Sequence, residues 1–336
     1  MTGKPEILMV TEHACVRVLK EAHVLKKLGY NVHLVFGGPI LGPLTANGAD
    51  ACQMFRSVTY FKTKTQLSDF LLVRRFDVYH VHVEPYWLVS FVRHTLPEAK
   101  IICDMKDSMY WRAPGTFRDE DTAVSSADAF LVPSYVCGEE LAGRTSQDIE
   151  YLPSAVPLDW YVDPSCARGG IANQGGHTLP DDMYDWRDYT DIYCFLKQHF
   201  DVYAYSPQFG HNKITEHYMA LDVRTANVEY FRLLQALGSH DWNLVGNDRG
   251  QVWQYALPNK FFDAIAAGVP VMVLGVPEVE KIVNDCDIGV ICNSKNEMVD
   301  NYNLHEEKRN NLLRVRDILA MDHAISGLVD LYRRMS

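Results

Sequence analysis

Four short stretches combine acidic, basic and aromatic side chains as reactive loops do: Thr11-Glu12-His13, Glu84-Pro85-Tyr86-Trp87, Lys106-Asp107-Ser108 and Pro258-Asn259-Lys260. Glu84 and Asp107 are carboxylates suited to acid–base work, and helix capping is the structural use of the same residues. Pro258-Asn259-Lys260 opens "NKFFDAIAAG", in which Ala264, Ala266, Ala267 and Gly268 keep side-chain bulk small. A helix of that kind can lie close to a sheet and offer its first amides, with Lys260, to a phosphate. Close packing alone would also explain it. Tyr86, Trp87, Tyr110 and Trp111 add flat surface that could stack on a ligand ring or fill space beneath a loop.

His80 and His82 alternate in "VYHVHV", so a strand there turns both to one face, as metal ligands or as satisfied core histidines. Asp119-Glu120-Asp121 and Asp285-Cys286-Asp287 have the form of a paired-acid cation site, but neither has the surroundings for one, and no metal is predicted. The eight cysteines show no CxxC spacing, which argues against a zinc ribbon and a disulfide framework. Arg17, Lys20, Lys26 and Lys27 gather on one helix, as a solvated face or a contact with an anionic membrane surface.

The elements that must position these residues alternate. "EILMVTE", "NVHLVFGG", "FDVYHVHVEP", "AKIICDM" and "ADAFLVPS" read as strands, with helical periodicity between several of them. That grammar specifies a parallel sheet covered by helices. "FDVYAYS", "DWNLVGN" and "VPVMVL" repeat it further on. In open parallel sheets ligands sit outside the carboxyl ends of the strands, where the four loops fall.

The 336 residues fit two domains better than one. We place an N-terminal Rossmann-like domain at 1–160, a glycine-rich linker from Trp160 to Gly176, a second Rossmann-like domain at 169–310 and a helical segment at 311–336. In that segment Leu312, Val315, Leu319, Ile325, Leu328 and Tyr332 share one face of one long helix or two in sequence. A net charge of -11 argues against nucleic acid as the main partner. The apolar run Ile7–Val10 is too short for a signal peptide or a span, so a cytoplasmic location is expected.

"LPNKFFDAIAAGVPVMVLGVPEVEKIVNDCDIGVIC" resembles the nucleotide-binding signature of GT-B glycosyltransferases, especially the family 4 retaining enzymes. "RVLKEAHVLKKLGYNVHLV", "FDVYHVH" and "ADAFLVPSYVCGEEL" extend the likeness over most of the chain, loosely from about Gly169 to Asp222. The resemblance implies an α/β GT-B fold, two Rossmann-like domains facing a central cleft, with the C-terminal helix crossing back to the first. It implies transfer of a sugar from a nucleotide diphosphate sugar to a glycan, lipid-linked or small-molecule acceptor, as in polysaccharide biosynthesis, with retention and without metal or cofactor. Some relatives also touch the membrane surface.

Carried over residue by residue, the resemblance puts Tyr255, Leu257, Pro258, Asn259, Lys260 and Asp263 against the donor, with Asp263 on the ribose. Tyr255 stands where the family has a carboxylate on the sugar, and Lys106 stands where it often has a histidine. The family's diphosphate-binding Arg and Lys have Arg168, Arg187 and Lys213 as candidates, of which Arg187 is assigned to the donor. Lys106, Asp107 and Glu84 are assigned to catalysis, and His13, His82, Tyr86 and Trp111 to the acceptor. Tyr255 and Lys106 leave open a nucleotide-sugar-binding subunit without turnover, and a sugar-nucleotide epimerase of the same fold is the other enzyme reading.

Overall fold

The computed structural model describes residues 4–38, 52–83, 85–106, 108, 118–165, 167–182, 184–247 and 249–336. The chain forms two compact units, one of residues 1–153 with 321–336 and one of residues 154–320. No helix among the described residues is long and apolar enough to cross a membrane.

In the first unit the order is β1 (Glu6–Thr11), α1 (Val16–Lys27), β2 (Asn31–Phe36), β3 (Ser57–Tyr60), α2 (Lys64–Val73), β4 (Val78–Val83) and α3 (Trp87–Thr95). It continues with β5 (Ile101–Met105), α4 (Arg118–Ser126), β6 (Ala129–Val132), α5 (Tyr135–Ala142) and β7 (Asp148–Tyr151). The strands are parallel in the order β3-β2-β1-β4-β5-β6-β7, so the winding reverses between β1 and β4. Thr11-Glu12-His13 leaves β1 at that switch point.

All six residues of β4 are buried, and its two faces differ. Tyr79, Val81 and Val83 join Leu8, Val10, Cys103 and Met105 in an apolar core with Leu67, Leu71, Leu88, Val92 and Leu141 of the covering helices. Each such aliphatic side chain contributes about 1.5–3 kcal/mol over leaving it in water. Alternation turns His80 and His82 to the opposite face, where the register sets His82 beside Asp104 of β5. That face lies under α1 and carries charge.

The second unit runs β8 (Ile171–Gln174), α6 (Thr190–Leu196), β9 (Val202–Tyr205), α7 (Lys213–Ala220), β10 (Arg224–Ala226), α8 (Tyr230–Leu237) and β11 (Trp242–Gly246). Then come α9 (Asn259–Ala266), β12 (Val271–Leu274), α10 (Pro277–Cys286), β13 (Gly289–Ile291), α11 (Lys295–Asp300) and α12 (His305–Val315). Its parallel sheet has the order β10-β9-β8-β11-β12-β13, with the reversal between β8 and β11. The stretch read as a glycine-rich linker therefore contains a central strand. "IANQ" has no apolar run, because Asn173 and Gln174 are buried on hydrogen bonds to Leu244 O and Lys260 O instead.

Helix α9 ends as its sequence suggests. Gly268 adopts φ 68°, and the amides of Gly268 and Val269 donate to Ile265 O and Ala264 O at 3.0 Å, the paired bonds of a left-handed glycine cap. Ala264, Ala266 and Ala267 are wholly buried. After α12 and a 3-10 turn at Arg316–Leu319, Ala320 is extended, which breaks the amphipathic segment. The remaining helices α13 (Met321–Ala324) and α14 (Ser326–Met335) pack on the first unit, where Lys27 pairs with Asp322 at 2.7 Å and Arg334 with Glu150 at 2.6 Å.

Candidate functional site

In the second unit, two cations meet over a pair of glycines at the switch point. Gly175 and Gly176 follow β8, and Gly175 has φ 110°, a conformation that side chains disfavour. A Cβ on Gly175 would stand 3.7 Å from Lys260 Nζ, and one on Gly176 would stand 2.9 Å from Arg187 Cδ and 3.1 Å from its Cζ. At Gly175 it is the backbone conformation that favours glycine, and at Gly176 the missing Cβ leaves room for the Arg187 side chain.

Lys260 lies in the first turn of α9 and is buried. Its Nζ donates to Tyr189 Oη at 2.8 Å and reaches Asn173 Oδ1 at 3.4 Å, with the Trp253 ring 5.3 Å away. Neutral oxygens alone surround it, since no carboxylate of the described residues pairs with it. Burial, and then the positive charge of Arg187, lower its pKa to about 7.

Arg187 ends a short 3-10 turn, Asp185–Arg187. That turn is held by Asn247 Nδ2 and Trp253 Nε1, which donate to Trp186 O at 2.8 and 3.1 Å. The guanidinium lies 5.6 Å from the Tyr184 ring and has no ion pair among the described residues. Of the other two candidate cations, Arg168 donates to Tyr205 Oη and Lys213 sits exposed on α7, and neither lies on the glycine loop.

His177 fixes the loop from behind. Its Nδ1 lies 3.0 Å from Gly175 O and must carry the proton there, so Nε2 accepts from Tyr193 Oη at 2.8 Å. The ring is enclosed by Tyr189, Tyr193, Phe209 and Tyr218. Burial, with Lys260 nearby, pushes its pKa down to about 3, so it stays neutral.

Asp263 is buried on the same helix as Lys260, and its carboxylate accepts from Tyr230 Oη and from Gln174 Nε2 at 3.2 Å. Tyr255 is half-buried at the end of the 3-10 turn Gln251–Gln254, Leu257 is buried, Pro258 caps α9 and Asn259 is exposed. The structure thus brings Lys260 and Arg187 together over the glycine loop and holds the Asp263 carboxylate on Tyr230 and Gln174, on the same helix as Lys260. Sequence reading missed Asn173, Gly175, Gly176, His177 and Tyr189; the signal available was a Gly-Gly pair followed by histidine.

In the first unit, Glu84, Asp107 and Trp111 lie outside the described residues. His13 is exposed in a turn closed by Thr11 Oγ1, which donates to His13 O at 2.8 Å. Its ring lies against Gly38, where a Cβ would be 2.2 Å from Nδ1. Tyr86 is buried at the start of α3 in the apolar core. Lys106 donates to Cys15 Sγ at 2.9 Å, at the mouth of α1. Burial opposes ionisation of that thiol, but Lys106 and the amides of Val18 and Arg17 outweigh it and lower its pKa.

His82, expected at the acceptor, is wholly buried in the charged layer under α1 and reaches no solvent. The basic group on α1 divides: Arg17 is 2% and Lys20 0% exposed, against the expected solvated face, whereas Lys26 and Lys27 are exposed. Arg17 Nε stands 2.8 Å from Asp104 Oδ2 and 3.0 Å from Glu21 Oε1, because α1 turns residues 17 and 21 together onto the strands. Burial works against the charge on Asp104, but Arg17 and the two imidazoles hold its pKa well below the usual range. Burial, then Asp104, raise that of Glu21 well above it. Both paired-acid motifs serve structure: Arg144 pairs with Glu120 and Asp121, and Lys308 pairs with Asp287.

No protein-family model matches the chain, and no curated protein matches it in sequence. Solved structures do. A glycosyltransferase from Rickettsia africae ESF-5 matches with a TM-score of 0.65 and 11% identity over 98% of each chain. AviGT4, a glycosyltransferase involved in avilamycin A biosynthesis, matches at 0.63 and 15% over 98% of each. Arabidopsis thaliana UGT89C1, complexed with UDP-L-rhamnose, matches at 0.60 and 11%, over 99% of this chain and all of that one. What these similarities establish is the fold: two Rossmann-like α/β units of the GT-B type.

Proposed function

We propose that the protein is a glycosyltransferase that takes a sugar from a nucleotide diphosphate sugar and passes it to a glycan, lipid-linked or small-molecule acceptor. The observation that carries the reading is the pair Arg187 and Lys260 over Gly175 and Gly176, at the switch point of a Rossmann-like unit. Two cations without acidic partners among the described residues, beside a glycine at positive φ, suit a diphosphate. The bound donor in the similar UGT89C1 structure supports a nucleotide sugar as ligand.

On this reading the chain's own residues neutralise the leaving diphosphate. Arg187 makes two-pronged contacts to its oxygens, and Lys260 supplies a point charge that gains its proton as the anion arrives. Asp263, fixed by Tyr230 and Gln174, faces the ribose, and Tyr255 with Leu257 and Pro258 borders the sugar. His13, after β1, faces the acceptor. The proposed reaction retains the anomeric configuration and uses no divalent ion at the diphosphate. The position of Tyr255, where a carboxylate was expected, favours one second reading, a subunit that binds the donor without turning it over.

A thermal-shift panel of nucleoside diphosphates and their sugar conjugates tests the proposal. Stabilisation by one nucleotide family, lost in Arg187→Ala, is expected. If none of the panel shifts the melting temperature, the donor assignment fails. Mass analysis of the incubated donor then separates transfer or hydrolysis, which release the diphosphate, from epimerisation, which leaves the donor mass unchanged.

A further inference from the structure

The charged layer under α1 is incomplete when only protein groups are counted. His80 Nε2, His82 Nε2 and Glu21 Oε2 are buried and have no hydrogen-bond partner among the described residues. Native interiors seldom leave one such atom unsatisfied, and here three lie close together. Glu21 Oε2 is 3.9 Å from His80 Nε2 and 3.7 Å from His82 Nε2, and His80 Nε2 is 3.7 Å from Asp104 Oδ2. One ligand atom from each of the four residues lies within 4.8 Å of all the others. These three separations are too long for hydrogen bonds, whereas the other ring nitrogen of His82, Nδ1, stands 2.9 Å from Asp104 Oδ2. The three are close to the roughly 3.3 Å between donors on a four-coordinate ion whose bonds are about 2.0–2.2 Å.

We propose that Glu21, His80, His82 and Asp104 bind a divalent transition-metal ion of the zinc type, in a closed site that ties α1 to β4 and β5. Two imidazoles with two carboxylates select such an ion over magnesium or calcium, which prefer oxygen alone. The outer groups fit as well. With Nε2 on the ion, His80 Nδ1 carries the proton and donates to Tyr332 Oη at 2.6 Å, which fixes the tautomer. Arg17 Nε holds Asp104 by both oxygens, at 3.2 and 2.8 Å. The two carboxylates balance the dication, and Lys106 is left facing the Cys15 sulfur. All four side chains are wholly buried, so the ion fixes structure rather than supplying chemistry to the reaction proposed above.

Chelator-treated protein titrated with Co2+, then with Zn2+, tests the assignment. The wild type is expected to bind one equivalent of Co2+ with the visible bands of a four-coordinate ion, to release it to one equivalent of Zn2+, and to melt higher with Zn2+ than without. His80→Gln and His82→Gln should each lose those bands. Tyr332→Phe keeps all four ligands and should weaken Zn2+ binding about 10- to 100-fold. Folded wild type without four-coordinate Co2+ bands overturns the proposal, as do bands that persist at unchanged affinity in both histidine variants. Should those variants fail to fold, unchanged Zn2+ affinity in Tyr332→Phe overturns it.

Discussion

Lys260 offers the sharpest test, because its environment makes anion binding draw in a proton. In the free protein its pKa is lowered to about 7, so at pH 8.5 only about 3% of the amines carry charge. A diphosphate within reach favours the charged form and restores a pKa near the ordinary value of about 10.4. Binding at pH 8.5 should therefore take up close to one proton per site. Between pH 7.0 and 8.5 affinity should fall roughly 16-fold, about 1.6 kcal/mol, the cost of protonating the amine. The ligand adds little to this, since its last phosphate ionisation lies at about 6. Calorimetry of UDP binding at pH 8.5, in two buffers of different ionisation enthalpy, measures the uptake directly. Lys260→Met should bind roughly 10- to 150-fold more weakly at pH 7, the loss of a charged hydrogen bond of about 1.5–3 kcal/mol, and should take up no proton. UDP binding by the wild type without proton uptake, or equal uptake in Lys260→Met, would refute the placement of this amine at the diphosphate. The shift has a counterpart in stability. The unfolded chain keeps this proton to about pH 10.4 and the folded one only to about 7, so stability should rise with pH through that window.

Two further outcomes follow from the same geometry. Gly176→Ala should displace the Arg187 side chain, whose Cδ would otherwise stand 2.9 Å from the new methyl group, and weaken nucleotide binding about tenfold. The urea midpoint should stay within experimental error, since a flexible side chain gives way rather than backbone. Cys15 should be alkylated by iodoacetamide at pH 7 faster than the exposed Cys194, through its larger thiolate fraction. Lys106→Met should erase that advantage when the two sites are compared by peptide mass analysis.

Much of this was legible in the chain. Strands β1, β2, β4, β5, β6, β9, β11 and β12 are apolar runs, and a buried parallel sheet requires such runs. Lys260 showed itself by following a Pro-Asn turn at the head of a small-residue helix. Arg187 stood among three candidates, and only its approach to Gly176 separates it from Arg168 and Lys213. Strand β8 was hidden because its central position is satisfied by polar side chains. Asn173 and Gln174 bond to Leu244 O and Lys260 O, partners 71 and 86 residues away that no local pattern announces. The inward turn of Arg17 was hidden for a similar reason. A helix with four cations looks solvated until Asp104, 87 residues on, is seen to lie beneath it.

The return of residues 321–336 to the first unit bears on how the protein is made. During synthesis, residues 154–320 are contiguous and can fold as soon as they leave the ribosome. The first unit emerges earlier yet stays unfinished until Tyr332 arrives to meet His80, 252 residues behind it in the chain. The half that is born first is thus completed after the other, with its charged layer open in the meantime.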